Sequence, residues 1–435
     1  MSRNDNYANI LAQMIRYETI YEEDTYKEKF KGFQDLLSKL FPYVFSKCVV
    51  ENFDGALLIK WSGKDHKEPI CFMNHQDVVP ADGAWAYPPF GGQIVDGKMY
   101  GRGTLDTKGG LFCMLEACEE LIKEGFVPKQ DIYFESSNSE EVNNSRCKLI
   151  ADELLKRNIR FKYTLDEGGM ILYEPLTGVK GTYAMIGCAE RGRAELKFIA
   201  KSSGGHAATP PNDTPLVRLG KMMAYFDDNQ VFEVEVAPTI IKMLNSLSES
   251  MSGPLAYIYK RANVFKPTLK RVMPTMPVAK GMVETTLAFT MAKGSEAGNV
   301  LPQEAYVIGD MRTSIHEGYQ NSLKKVKEIA SKFDIEVEVL EEATESKMAD
   351  YNCEGFINAT KAIKKCFGED YKVAPYIMNQ CSDSRFIDVV SDNCLRFVPF
   401  LITEEQMNSI HGLNENVDIN NLDKAVDFYK YMMKA

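Results

Sequence analysis

The chain has 435 residues, of which 45% are hydrophobic, 26% charged and 11% aromatic, with a formal net charge of −10. Domains of about 100–200 residues make two or three domains the expectation at this length, and the apolar share suffices for substantial cores. The acidic balance and the lack of a Lys/Arg-rich block exclude a nucleic-acid surface and favour solubility and attraction of cations.

Residues 1–20 contain no apolar run of signal-peptide length, and no stretch approaches the roughly 18 consecutive apolar residues of a membrane span. The ten cysteines are scattered without a CxxC pair, and Cys71, Cys113, Cys118 and Cys188 sit in apolar surroundings. They read as buried free thiols of a cytoplasmic protein rather than as disulfides or a cysteine–zinc site.

Residues 8–40 read as two amphipathic helices. The run ICFMN at 70–74 predicts a buried strand. Apolar residues at Leu111, Met114, Leu115, Cys118, Leu121 and Ile122 have helical spacing. A strand is predicted at 131–135, a helix at 145–157 and a strand at 161–165. This alternation predicts an α/β fold, with parallel strands in a mixed sheet flanked by helices.

From Gly192 the pattern changes to strand 194–201, helix 215–225, strands 286–292 and 305–312, helix 321–333 and strand 335–340. The order βαββαβ describes a small ferredoxin-like α+β unit with one open sheet face. Residues 231–282, rich in Met and Pro, interrupt it as an insertion of helices and loops. It could cover the small sheet, extend a dimer contact or narrow access to a cleft. The simplest architecture is a catalytic domain of residues 1–191 and 346–435, with a lid domain of residues 192–345 inserted into it.

Only five histidines occur. His75 follows the predicted buried strand in NHQDVVP, and His411 follows an apolar run in SIHGLNE. Asp106 lies in the glycine-rich turn GRGTLDTKGG. Glu140 and Glu141 follow strand 131–135, while Asp166 and Glu167 follow strand 161–165. Singly, each has an ordinary reading: Asp106 as a helix cap, and the Glu pair as solvated charge at a helix start. Together they put His and carboxylates at several strand ends, where open α/β sheets bind ligands. Carboxylates crowded there repel one another unless a cation lies among them. A nitrogen–oxygen donor set suits zinc, with manganese or cobalt also accommodated. Two histidines and three carboxylates suit two ions sharing a carboxylate.

The ordered motifs HQDVVP, WAYPPF, GRGTLDTKGG, the Glu140–Glu141 pair, LDEGGMI, GGHAATPP and IHGLNE resemble the co-catalytic di-zinc exopeptidase family. That family includes carboxypeptidase S, aminoacylase, dipeptidases, acetylornithine deacetylase and succinyl-diaminopimelate desuccinylase. The resemblance runs from about Tyr17 to the C-terminus and is nearest to the carboxypeptidase S and aminoacylase branch. It implies a hydrolase of the amide bond in a small peptide or N-acyl amino acid bearing a free carboxylate. His75 and Glu167 would hold one zinc ion, Glu141 and His411 the other, and Asp106 would bridge them. Glu140 would be the general base, and Asp77 would orient the His75 imidazole. The bond Asp106–Thr107 would be a cis peptide.

The resemblance further implies a homodimer formed through the lid. His206 would reach the partner's cleft to stabilise the oxyanion, and Asn299 and Arg312 would bind the substrate carboxylate. For Arg312 the plainer reading is a salt bridge on the face of a strand. Three features depart from the family pattern. Ser139 stands where an Asp usually precedes the Glu pair, and Asn143 and Asn144 stand where glycines usually follow it. MNQCSDSRF stands in place of a glycine pair and a TDAR-like motif, so Ser382 and Asp383 become candidate substrate contacts in an altered loop. Asp166 remains an alternative to Glu167, which is preferred because the glycines follow it directly. An N-deacylase of a metabolic intermediate, or a non-catalytic binding relative, are the alternative functions. Retention of Glu140 with all five donors speaks for catalysis.

Overall fold

A computed structural model describes residues 2–142, 145–176 and 178–435. Two sheets organise these residues. The larger has ten strands among the described residues and follows the order Val49–Phe53, Ala56–Trp61, Gln130–Ser136, Asp65–Met73, Thr164–Asp166, Cys394–Arg396, Thr182–Glu190, Ile171–Tyr173 and Leu401–Ile402. Lys372–Met378 pairs in parallel with Thr182–Glu190 away from this path. Asp65–Met73 lies parallel to both Gln130–Ser136 and Thr164–Asp166, and Cys394–Arg396 continues the parallel run. Strands covered on both faces read as unbroken apolar runs. That is why Ile70, Cys71, Phe72 and Met73 are all buried while residues 65–68 of the same strand are exposed.

Helices close both faces. Arg3–Ile15 starts at a capping box of Ser2 and Asp5 and buries Tyr7, Leu11, Met14 and Ile15 against the main core. Tyr26–Leu40 is the second amphipathic helix expected in this region. Lys108–Lys123 is sunk deepest, with Leu111 to Cys118 buried. Its first turn needs glycine, because a Cβ on Gly109 would stand 2.2 Å from the Thr104 carbonyl oxygen. Ser145–Lys156 lies where a helix is expected, and Leu422–Lys434 forms the terminal helix. The predicted strand at 161–165 is shorter in the structure. Only Thr164–Asp166 is strand, because Phe161 leaves the ladder and makes an isolated bridge to Ser391.

The second sheet runs Thr286–Lys293, Glu304–Thr313, Gly192–Lys201, Glu336–Glu341, antiparallel throughout. Numbered along the chain this is order two, three, one, four, the arrangement a βαββαβ unit adopts. Pro215–Asp228 and Gly318–Ser331 cover one face, with Leu219, Met222, Leu323 and Val326 in the core.

The insertion folds as helices Pro238–Ser248, Gly253–Lys260, Lys266–Val272 and Pro277–Val283. Apart from Val231 and Phe232 at its start, its apolar residues do not cover the small sheet. Ile240, Met243, Leu244 and Leu247 pack with Tyr183, Met185, Ala374 and Ile377 on the large sheet. Chain continuity alone would have joined this segment to the smaller unit; its buried surface joins it to the larger one.

Candidate metal centre

The centre forms where parallel strands end. Beyond Met73 and Ser136 the two chains stay side by side, with Gln76 N donating to Ser137 O at 2.7 Å and Ser136 Oγ donating to Asn74 O at 2.7 Å. This stitching brings His75 beside the Glu140–Glu141 turn. Asp77, wholly buried, completes it: its two carboxylate oxygens accept from the backbone N–H groups of Glu140 and Glu141 at 3.2 and 2.9 Å. The same carboxylate lies 3.5 Å from His75 Nδ1, which is also 3.0 Å from the Asp77 carbonyl oxygen. One aspartate therefore fixes an imidazole and both glutamates.

Asp106 faces both imidazoles. His75 Nε2 stands 3.0 Å from its Oδ1, and His411 Nε2 stands 3.1 Å from its Oδ2. His411 Nε2 is also 3.1 Å from Glu141 Oε2. The Asp106–Thr107 bond is cis, as the resemblance implied. His411 has φ of 60°, a left-handed backbone that is uncommon away from glycine and that turns its ring back over the cluster. The donor atoms form two compact groups, His75 with Glu140 and Glu141, and Asp106 with Glu141 and His411, each within 4.8 Å. Glu167 belongs to neither group but lines the same cavity. Asp166 is turned away from it: its carboxylate accepts from Glu167 N and Ser384 N, both at 2.8 Å.

Charge at this place is unbalanced. Burial, then the neighbouring carboxylates Asp383, Glu141 and Asp106, push Glu140 well above the ordinary carboxylate range despite relief from His75. Burial with Asp106, Asp166 and Glu140 does the same to Glu167. Burial and Asp106 raise Glu141 to about 7. Hydrogen bonds to Asp106 and Glu141 hold the His411 imidazole up at about 10. Four crowded carboxylates and two imidazoles, free of thiolate, form a hard-to-borderline donor set short of positive charge. Divalent cations of the zinc or manganese kind fit it.

Sequence reasoning did not single out the support of Asp106. Glu415, wholly buried, accepts from the backbone N–H groups of Gly103, Leu105 and Asp106 at 3.1, 2.8 and 3.2 Å. Arg102 Nη1 pairs with it at 2.8 Å. Both residues stand inside quoted motifs, GRGT and IHGLNE, so the signal was present but unread.

The remaining predicted residues are placed differently from one another. His206 and Asn299 are exposed neighbours at a small two-stranded ribbon of Gly205–His206 and Val300–Leu301, where Ala207 N donates to Asn299 O at 3.0 Å, and neither lines the cavity. Arg312 forms an ion pair with Asp310 at 2.7 Å, the plainer of its two readings, while its Nη1 lies 3.6 Å from Cys381 Sγ at the cavity edge. Ser382 and Asp383 point into the protein instead of into the cavity. Ser382 Oγ meets Ser384 Oγ at 2.8 Å, and the Asp383 carboxylate accepts from Ser137 beside Glu135 and Cys147. Asn379, Gln380 and Cys381 line the cavity in their stead. Asn143 and Asn144 lie outside the described residues.

The cavity measures about 520 Å³. Asp106, Glu140, Glu141, Glu167 and His411 form one end, and the rest of its wall is dominated by apolar side chains.

Strand-end carboxylates and imidazoles gathered at such a cavity define a metal-dependent hydrolase. The chain belongs to Peptidase family M20/M25/M40, whose profile matches residues 71–435. It is 26% identical to a probable carboxypeptidase S-like 2 of Dictyostelium discoideum, over 98% of this chain and 84% of that protein. It is 28% identical to an N-fatty-acyl-amino acid synthase/hydrolase PM20D1 of Xenopus tropicalis, over 95% of this chain and 83% of that protein. Its fold is similar to the M20 family metallo-carboxypeptidase Sso-CP2 of Sulfolobus solfataricus, with TM-score 0.74 and 16% identity over 100% of this chain and 99% of that one. The protein is a metal-dependent amide hydrolase of the metallopeptidase class. No helix among the described residues is long and apolar enough to cross a membrane.

Proposed function

We propose that the substrate is an N-acyl amino acid with a free carboxylate, cleaved at its amide with two zinc ions bound, manganese or cobalt being able to replace them. His75 and Glu167 would hold one ion, Glu141 and His411 would hold the other, and Asp106 would serve both. The observation that carries this reading is the Asp106 carboxylate facing both imidazoles, 3.0 and 3.1 Å away, at the head of an otherwise apolar cavity. A free dipeptide suits that wall less well. Its ammonium group stands on the carbon next to the scissile carbonyl, beside the donor cluster and Glu140, and leaves the uncharged remainder of the wall without a ligand group to cover it. The relatives named for carboxypeptidase S and for N-fatty-acyl-amino acid hydrolysis support an amide flanked by a carboxylate.

When bound, the cations polarise the amide carbonyl and make a water molecule more acidic. Glu140 takes a proton from the attacking water as its oxygen bonds to the carbonyl carbon. It delivers that proton to the nitrogen as the C–N bond breaks, releasing a carboxylic acid and an amine. Asp77 keeps Glu140 in place through its backbone, and Glu415 does the same for Asp106. Residues 1–191 and 346–435 act as the metal-binding unit, with most of the insertion of residues 231–282 packed on it, and the rest of residues 192–345 act as a lid that pairs two chains. His206 of the partner subunit donates to the developing oxyanion, and Asn299 of the partner subunit, which lies beside it, receives the substrate carboxylate together with Arg312. Ser382 and Asp383 hold the loop that carries Asn379, Gln380 and Cys381.

A screen of N-acyl amino acids and dipeptides on metal-loaded protein tests this reading. Cleavage of N-acyl amino acids, abolished by a chelator and restored by zinc or manganese, is the expected outcome. Bound metal without cleavage of any member would refute it. The cross-dimer role has its own test. Glu140→Gln and His206→Ala chains, each nearly inactive alone, will regain about a quarter of parent activity when mixed and allowed to exchange subunits. Half the dimers are then mixed, and one of the two sites in each is complete. No recovery in proven mixed dimers removes His206 from that role.

A further inference from the structure

Residues 250–282, the later part of the insertion, differ in charge from the rest of the chain. They carry six cations, Lys260, Arg261, Lys266, Lys270, Arg271 and Lys280, and no Asp or Glu, in a chain whose formal net charge is −10. Three of the six have acidic neighbours: Lys266 and Lys270 pair with Glu235, and Lys280 lies 3.5 Å from Glu284. Lys260, Arg261 and Arg271 are exposed and make no ion pair among the described residues. The Arg261 guanidinium lies over the Tyr257 ring, 4.1 Å from its centroid.

The same segment exposes Leu255, Tyr257, Val264, Val272, Met276 and Val278, with Val264 at 73%. Helical spacing sorts these from the core. Ile258, Tyr259 and Ala262 turn inward to the cluster on the large sheet. Tyr257, Lys260, Arg261 and Val264 follow one another at the intervals that share one helical face. The winding continues past helix Gly253–Lys260, since Ala262 N donates to Tyr259 O at 3.2 Å and Phe265 N to Arg261 O at 3.1 Å. Phe265 meets Tyr257 edge to face, with ring centroids 6.0 Å apart, and joins this face to helix Lys266–Val272, which bears Arg271 and Val272. Single exposed apolar side chains are ordinary, but a group of them interleaved with unpaired cations marks an interaction surface. Val278 also lines the cavity, so the face adjoins its mouth.

We propose that this basic and apolar face docks the protein on the surface of an anionic lipid bilayer, on which it lies without crossing. A bilayer surface answers both chemistries. Lipid phosphates attract Lys260, Arg261 and Arg271, and the boundary between headgroups and acyl chains takes up tyrosine and valine side chains. Nucleic acid would answer the cations and leave the apolar side chains unmatched. The rest of the chain is acidic and is repelled by the same surface, which turns this face toward it. Each cation brought to the surface contributes on the order of five-fold to partitioning. Docking of this kind does not depend on the hydrolase reading.

The test is cosedimentation of the full chain with sucrose-loaded vesicles, made of phosphatidylcholine alone or of phosphatidylcholine mixed with phosphatidylglycerol. The parent binds the mixed vesicles, binds phosphatidylcholine roughly ten-fold or more weakly, and is released as salt is raised. The double variant Lys260→Glu, Arg271→Glu reverses two unpaired charges and lowers affinity for the mixed vesicles by roughly 100-fold. The double variant Val264→Ser, Val272→Ser lowers it by roughly ten-fold and keeps every charge. All four side chains are exposed, so circular dichroism of both variants matches the parent. Should the charge reversal disturb folding, the valine pair carries the test. No binding to mixed vesicles, equal binding to both kinds, or variants that bind as the parent does would overturn the proposal. Poly-glutamate or duplex DNA bound as tightly as the mixed vesicles, with the valine variant unaffected, would overturn it in favour of an acidic polymer.

Discussion

Glu140→Gln will lower kcat on any cleaved N-acyl amino acid by roughly 100- to 10,000-fold, the span of general acid–base catalysis, while the protein keeps its bound metal. Glutamine has the shape of glutamate but cannot accept the proton of an attacking water. The turn that carries it should not move, because its backbone is held by Asp77 through the N–H groups of residues 140 and 141 and does not depend on the Glu140 side chain. Its neighbours Glu141 and His411 keep their 3.1 Å contact for the same reason. Steady-state kinetics and elemental analysis of the purified variant provide the check. Turnover within a few-fold of the parent would mean that another group moves the proton. Lost metal would mean that Glu140, which stands within 4.8 Å of the His75 and Glu141 donor atoms, acts as a ligand.

The donor cluster was readable in the sequence because His75, the Glu pair and Glu167 follow strands with clear apolar runs. Asp106 instead lies in the turn before helix Lys108–Lys123, and His411 follows helix Glu404–Ser409, not the apolar run directly. ICFM before His75 and DIYFES before the Glu pair are fully buried on both faces, as their composition requires. The fold followed from the same signal, together with the change to two-residue alternation after Gly192. What stayed hidden depended on contacts between distant segments. Glu415 reads as one more loop carboxylate until the fold carries it to three N–H groups more than 300 residues earlier. The direction of a loop side chain is equally silent in sequence. Ser382 and Asp383 face inward and Asn379 to Cys381 face the cavity, and no period distinguishes them. Met and Pro composition marked residues 231–282 as an insertion but not the surface it covers. That surface is set by Ile240, Met243, Leu244 and Leu247 meeting the large sheet.

A division of labour follows from this geometry. The residues that touch the reacting atoms lie at strand ends or in the turns beside helices Lys108–Lys123 and Glu404–Ser409. Buried carboxylates hold several of them in register from behind: Asp77 for the glutamates and His75, Glu415 for Asp106. The walls around the rest of the cavity come from residues 168–185, 243–282 and 376–410. Substitutions in the first set should change rate or metal content, and those in the second should change preference.

Asp106→Ala carries the other large effect expected. Asp106 is the carboxylate that faces His75 Nε2 with one oxygen and His411 Nε2 with the other, so its removal separates the two halves of the centre. Bound metal should fall from two ions per chain to one or none. The loss in kcat/KM should be roughly 1,000-fold or more, since carbonyl polarisation by a cation contributes several kcal/mol. The fold should survive, because the loop remains anchored by Glu415 on the backbone N–H groups of residues 103, 105 and 106, and its helix remains anchored by Leu111 to Cys118 in the core. Elemental analysis, kinetics and a far-ultraviolet circular dichroism spectrum matching the parent separate loss of metal from loss of structure. A folded Asp106→Ala protein that still binds two ions with parent affinity would show that Asp106 does not bridge them, and the pairing of His75 with Glu167 and of Glu141 with His411 would need to be redrawn.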